Sequence, residues 1–88
     1  MEMDEGKRRS EQDRGAKAEA LLRNPMFQEA FQVLEEKYMD AWKNSPVKAT
    51  DDREKLFQMY QNLIAVKGHL EEVVNTGNLA KLETTLRR

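Results

Sequence analysis

Apolar side chains recur at steps of three and four residues over two stretches of the chain, a spacing that predicts two amphipathic α-helices. The first begins at Asn24-Pro25, because Asn favours the N-cap and Pro fits the first helical position, and it extends to about residue 43. Pro46 prevents its continuation, and Asp51 opens a second helix over about 51–75. The apolar positions of the first helix are Met26, Phe27, Ala30, Phe31, Val33, Leu34, Tyr38, Ala41 and Trp42.

The second predicted helix carries more apolar positions than one neighbouring helix can cover. Its primary row has the heptad spacing of a coiled coil. A second row, Phe57, Tyr60, Ile64 and Val74, lies beside it. Either the C-terminal helix folds back over this row or another protein chain covers it, and we predict the second. The primary row comprises Leu56, Met59, Leu63, Val66, Leu70 and Val73.

The predicted fold is all-α, because two amphipathic helices joined by a short loop pack as an antiparallel hairpin. Gly77 is predicted to end the second helix as a C-cap, with a short C-terminal helix after it. Residues 1–15 are charged and almost devoid of apolar side chains, so we predict a disordered tail followed by one helical domain over 16–88. The predicted core comprises Phe31, Leu34, Tyr38, Trp42, Leu56, Leu63 and Leu70.

Composition limits how this chain is stabilised and which chemistry it performs. With 88 residues it is a single small domain with a thin stability margin, and with no cysteine it has neither disulfides nor thiolate ligands. His69 is its single histidine, and no glutamate stands three residues before it, so the Glu-x-x-His motif of carboxylate-bridged metal bundles is absent. We therefore predict no enzyme activity, no cofactor and no metal, and we expect association with other chains to stabilise the fold.

The N-terminal region is mildly basic although the whole chain has a net charge of −1. Residues 7–23 hold six basic and three acidic side chains, so a contact with nucleic acid phosphates is an alternative to a solvated surface. No stretch is long and apolar enough for a membrane span, and the polar start is unlike a signal peptide, so we expect a cytoplasmic protein. The candidate nucleic-acid contacts are Lys7, Arg8, Arg9, Arg14, Lys17 and Arg23.

Five short segments between Asn24 and Leu79 carry a family resemblance over about two thirds of the chain. They are NPMFQEAF at 24–31, AW at 41–42, SP at 45–46, DDREKL at 51–56 and GHLEEVVNTG at 68–77. With them the chain resembles small helical proteins of tailed bacteriophages and prophages. The resemblance implies an oligomer that serves DNA packaging, as small terminase subunits do, or head and tail assembly. Small terminases often carry a helix-turn-helix, and residues 1–23 offer at most one short helix for it.

The sequence therefore predicts a self-associating helical protein–protein interaction module in phage particle assembly or genome packaging, located in the host cytoplasm or the virion. Two alternatives stay open. One is an accessory protein that binds nucleic acid through its basic N-terminal segment, and the other is a phage-encoded inhibitor that docks on a host protein.

Overall fold

A computed structural model describes residues 4–86, and its secondary structure is three α-helices with no strand in that range. They are α1 (Glu5–Arg23), α2 (Pro25–Asn44) and α3 (Thr50–Leu86). The prediction of an all-α fold is confirmed. The helices form two compact units: unit 1 contains residues 4–24 and 68–86, and unit 2 contains residues 25–67.

The predicted disordered tail is wrong for residues 5–15, which belong to α1, so the boundary that we placed between residues 15 and 16 falls inside a helix. Asp4 caps the helix, because its side chain accepts a hydrogen bond of 2.7 Å from the backbone N–H of Lys7. Residues 1–3 of the predicted tail lie outside the described residues.

The side chains of α1 that pack in unit 1 recur at helical spacing, but most of them are small or polar. Hydrophobic periodicity therefore did not predict this helix. Arg8, Gly15 and Ala18 are buried, and Glu11, Gln12, Glu19 and Leu22 are half-buried. Gln12 also donates a hydrogen bond of 3.1 Å from its side-chain amide to the hydroxyl of Thr84 on α3. Polar contacts and close backbone packing thus replace a wide apolar face.

Two glycines bring α1 and the C-terminal part of α3 into backbone contact. A Cβ added to Gly15 would lie 2.9 Å from the Cα of Gly77 and 3.3 Å from the carbonyl oxygen of Val73. A Cβ added to Gly77 would lie 2.8 Å from the carbonyl oxygen of Glu11. These distances exclude any side chain at either position without movement of the helices, since real Cβ contacts are longer.

The predicted helix end at Gly77, and the separate short helix after it, are also wrong. Helix α3 continues without interruption to Leu86, and none of the described glycines has a positive φ. Gly77 is buried by the packing of α1 on it. A glycine near the end of an amphipathic stretch can either end the helix or permit close packing of a second helix. The sequence pattern is the same in both cases, so it does not distinguish them.

Unit 2 corresponds to the predicted hairpin as far as residue 67, whereas the predicted second helix extended to about residue 75. The two ends of α2 and the start of α3 agree with the prediction to within one residue. Asn24 adopts an extended conformation (φ −66°, ψ 122°), as expected for a residue before proline, and Pro25 begins α2. Helix α3 begins at Thr50, one residue before the predicted start at Asp51.

The row of α3 that is half-buried in unit 2 differs from the predicted primary row. Leu56, Tyr60 and Leu63 are half-buried, whereas Met59 is 44% exposed and Val66 is 54% exposed. Both rows have steps of three and four residues, so spacing alone does not decide between them. Tyr60, which we assigned to an intermolecular row, thus takes part in packing within the unit.

Arg53 joins the two helices of unit 2 beside their connecting loop. Its guanidinium donates hydrogen bonds of 3.1 Å to both the carbonyl oxygen and the hydroxyl of Ser45, and its central carbon lies 4.6 Å from the ring centroid of Trp42. Ser45 follows the last residue of α2 and bonds the carbonyl oxygen of Trp42 through both its N–H and its hydroxyl. Arg53 therefore fixes the C-terminal end of α2 against the start of α3.

Replacing Arg53 by Ala should lower the free energy of unfolding by about 1–2 kcal/mol, because it removes charge-assisted hydrogen bonds and a cation–π contact. Urea denaturation at a fixed protein concentration measures the change. Lys55→Ala is the matched control, since Lys55 is exposed on the same helix, and it should change stability by less than about 0.5 kcal/mol. Equal effects of the two substitutions would contradict the role of Arg53.

Candidate protein-interaction surface

The two units bury very little of their apolar side chains. Among residues 4–86, the buried hydrophobic residues are Ala18 and Ala80, and no large side chain is fully buried. None of the predicted core residues is buried, and Leu34 and Trp42 are each 36% exposed. The exposed large hydrophobic residues are Leu21, Met26, Val33, Leu34, Trp42, Val47, Phe57, Met59, Ile64, Val66, Leu79, Leu82 and Leu86.

An apolar groove lies between α2 and α3 in unit 2, close to the loop that joins them. Its volume is about 120 Å³, and its walls are aromatic and aliphatic. Phe57, on one wall, is 49% exposed. A concave, apolar site of this size accepts about one large side chain. Six residues line the groove: Tyr38, Met39, Trp42, Leu56, Phe57 and Tyr60.

Polar side chains border this apolar groove on two sides. Trp42 and Phe57 also line a neighbouring depression together with Thr50, Arg53 and Glu54. Met39 and Tyr60 line a second depression, whose other walls carry side chains of both charges. An apolar centre with a polar rim is the usual anatomy of a protein–protein interface. The second depression is completed by Glu35, Glu36, Asp40 and Lys43.

The four residues that we predicted as an interface do not form one surface in the structure. Phe57 and Tyr60 line the apolar groove together. Ile64 is 37% exposed and lies two helical turns after Phe57 on the same face of α3. Val74 belongs to unit 1, where it is half-buried. Met39 also lines the groove, and it was not among the residues predicted from sequence, although it follows Tyr38 in a helix with apolar side chains at every turn.

The six basic residues considered for nucleic-acid contact all lie on α1, and most are already paired with an acid of the same helix. Arg9 lies 3.9 Å from Glu5, and Lys17 lies 2.9 Å from Asp13. The corresponding distances are 3.2 Å from Arg14 to Glu11 and 2.7 Å from Arg23 to Glu19. Arg8 is buried at 7% exposure, and Lys7 is exposed. Paired cations contribute less to phosphate binding than free ones, so the structure does not present a concentrated basic surface here.

His69 lies on the surface of α3. Its Nδ1 is 4.0 Å from a carboxylate oxygen of Glu72, and both side chains are exposed, at 69% and 80% respectively. Over residues 4–86, no group of three or more His, Cys, Asp or Glu side chains is placed to hold a metal ion. No described helix combines the length and the apolar character that a membrane span requires.

Comparison with known proteins adds no relative to this description. No protein-family model, no curated protein and no solved structure matches the chain.

Proposed function

We propose that this protein is a non-enzymatic helical interaction module that functions by associating with further copies of itself. The observation that carries the proposal is the absence of any fully buried large side chain among residues 4–86, combined with thirteen exposed large hydrophobic residues. A chain of this size that had to fold alone would direct those side chains into a core.

The free energies involved are large compared with the stability of a small domain. Complete burial of one large apolar side chain contributes about 1.5–3 kcal/mol. The thirteen side chains are about half exposed on average. Burying the exposed half of each would therefore add on the order of 10–20 kcal/mol of hydrophobic stabilisation. The net stability of a typical domain is about 5–15 kcal/mol. Covering part of this surface in an oligomer therefore decides whether the fold is stable.

Self-association is also compatible with the charge of the chain. The net charge is −1, with 15 basic and 16 acidic side chains. A net charge near zero gives little electrostatic repulsion between copies, whereas a strongly charged surface would oppose their approach. Phage particle assembly or genome packaging is the setting we propose for the oligomer, and its support is the sequence resemblance over residues 24–79.

The mass of the protein in solution tests this proposal. Multi-angle light scattering at micromolar concentration should give at least twice the 10.3 kDa of one chain. A mass of one chain under these conditions would contradict self-association and would favour docking on a different protein. Binding to duplex DNA at low salt, measured in parallel, would instead support the nucleic-acid alternative, which we expect to fail because of the ion pairs along α1.

A further inference from the structure

We propose that two copies of the chain pair through unit 2 with their α3 helices antiparallel, so that Ile64 of each copy enters the apolar groove of the other. The inference rests on the proposed self-association and gives it a defined geometry. The two-fold axis of this dimer passes close to Gln61.

The groove and the side chain that fills it lie on the same surface of one copy. Phe57, in the groove wall, and Ile64 are seven residues apart, which is about two turns or roughly 10 Å along one helix face. A two-fold axis halfway between them brings Ile64 of each copy opposite the groove of its partner. Both grooves are then filled at once. In a parallel arrangement Ile64 would meet Ile64, and neither groove would receive a side chain.

The exposed apolar side chains of α3 in unit 2 lie on two faces of the helix. Phe57 and Ile64 share the face that we propose to be covered, and they are 49% and 37% exposed. Met59 and Val66 are each two residues further along, about 200° around the helix, and lie outside this contact. The proposed interface is therefore centred on the apolar groove and Ile64.

The charges of unit 2 favour a second copy over a strongly charged partner. Residues 25–67 carry seven acidic and six basic side chains, so the unit is almost neutral. The depression next to the apolar groove has both signs on its walls, with Glu35, Glu36 and Asp40 beside Lys43. A surface with both signs can form ion pairs with its own copy, whereas recognition of a strongly charged partner requires an excess of one sign.

Cysteine cross-linking tests this geometry, because the chain has no cysteine of its own. Gln61→Cys places two thiols close to the two-fold axis, and a short bis-maleimide should convert most of the protein into a covalent dimer. Asn62→Cys is the matched control: it is the next residue, is also exposed, and points about 100° away around the helix. Both substitutions replace exposed polar side chains, and circular dichroism checks that the helix content is unchanged.

A second pair of variants distinguishes the antiparallel from the parallel arrangement. Glu54 and Ala65 are both exposed and lie on one flank of α3, seven residues before and four residues after Gln61. A two-fold axis halfway between Phe57 and Ile64 brings Glu54 of one copy to within about two residues, or roughly 3 Å along the helix, of Ala65 of the other. In the antiparallel dimer, a mixture of Glu54→Cys and Ala65→Cys should cross-link at least five times more than either variant alone. In a parallel dimer each variant would cross-link with itself.

The outcomes separate this geometry from the proposed function. Self-association by mass, together with efficient cross-linking of Gln61→Cys and of the mixture, supports the antiparallel dimer. Two results would overturn the geometry while the protein still self-associates: Gln61→Cys cross-links no more than Asn62→Cys, or Glu54→Cys cross-links with itself. Either result leaves the proposed function standing. A monomeric mass overturns both.

Discussion

Replacing Gly77 by Ala is expected to lower the free energy of unfolding by about 1–3 kcal/mol, the usual cost of forcing an extra group into a packed contact. The added Cβ would lie 2.8 Å from the carbonyl oxygen of Glu11 and 2.9 Å from the Cα of Gly15. Both are backbone atoms, so relief requires α1 to move away from α3. Gly15→Ala meets the same obstacle from the other side and should have a similar effect.

Gly68→Ala is the matched control, because Gly68 lies in the same helix and its added Cβ would have no neighbour within 4 Å. This change should stabilise the protein by up to about 1 kcal/mol, since Ala favours a helix over Gly. Urea denaturation followed by circular dichroism, at one protein concentration, compares the two variants. Stabilisation by both would contradict close contact between α1 and α3 at Gly77.

Replacing Ile64 by Glu is expected to weaken self-association by at least 100-fold, which corresponds to about 3 kcal/mol. Ile64 is 37% exposed in one copy, and its face of α3 is the one that we propose to be covered in the oligomer. Transferring a carboxylate into an apolar contact removes its hydration without providing a partner. Sedimentation velocity over a range of concentrations should show smaller species than the unmodified protein.

Asn62→Glu serves as the control for charge, because it adds the same carboxylate to an exposed position two residues away. It should leave the mass in solution unchanged. If Ile64→Glu and Asn62→Glu associate as strongly as the unmodified protein, the Ile64 face is not part of the interface.

The hairpin of unit 2 was predictable from sequence because its signals are local. Pro25 and Pro46 bracket α2, and the apolar spacing of each helix is clear. Which row of α3 packs inside the unit was not predictable. Leu56 and Leu63 belong to two rows of similar spacing, and the choice of Tyr60 over Met59 depends on where α2 lies, which no local pattern records.

Helix α1 was not predictable from hydrophobic periodicity. It packs through Gly15 and Ala18, whose small size permits close approach of two helices but gives no hydrophobic periodicity. A useful signal is present in hindsight: Gly15 and Ala18 are three residues apart, as are Gly77 and Ala80, and all four are buried. Pairs of small residues at helical spacing in two segments indicate helices that pack closely.

The candidate surface was predictable in part. The second apolar row of α3 pointed to Phe57, Tyr60 and Ile64, and the first two line the apolar groove. The groove itself needs both helices, since Met39 and Trp42 form its other wall. A cavity between two helices depends on their register and distance, and a single sequence does not give either.

We expect this chain to gain its stability by association, and the concentration dependence of thermal unfolding measures that coupling. If folding and association are coupled, Tm must rise with protein concentration by mass action. We expect an increase of several degrees over a 100-fold range of concentration, which is equivalent to about 2.7 kcal/mol. A Tm that stays constant over that range, with a mass of one chain at every concentration, would contradict the account.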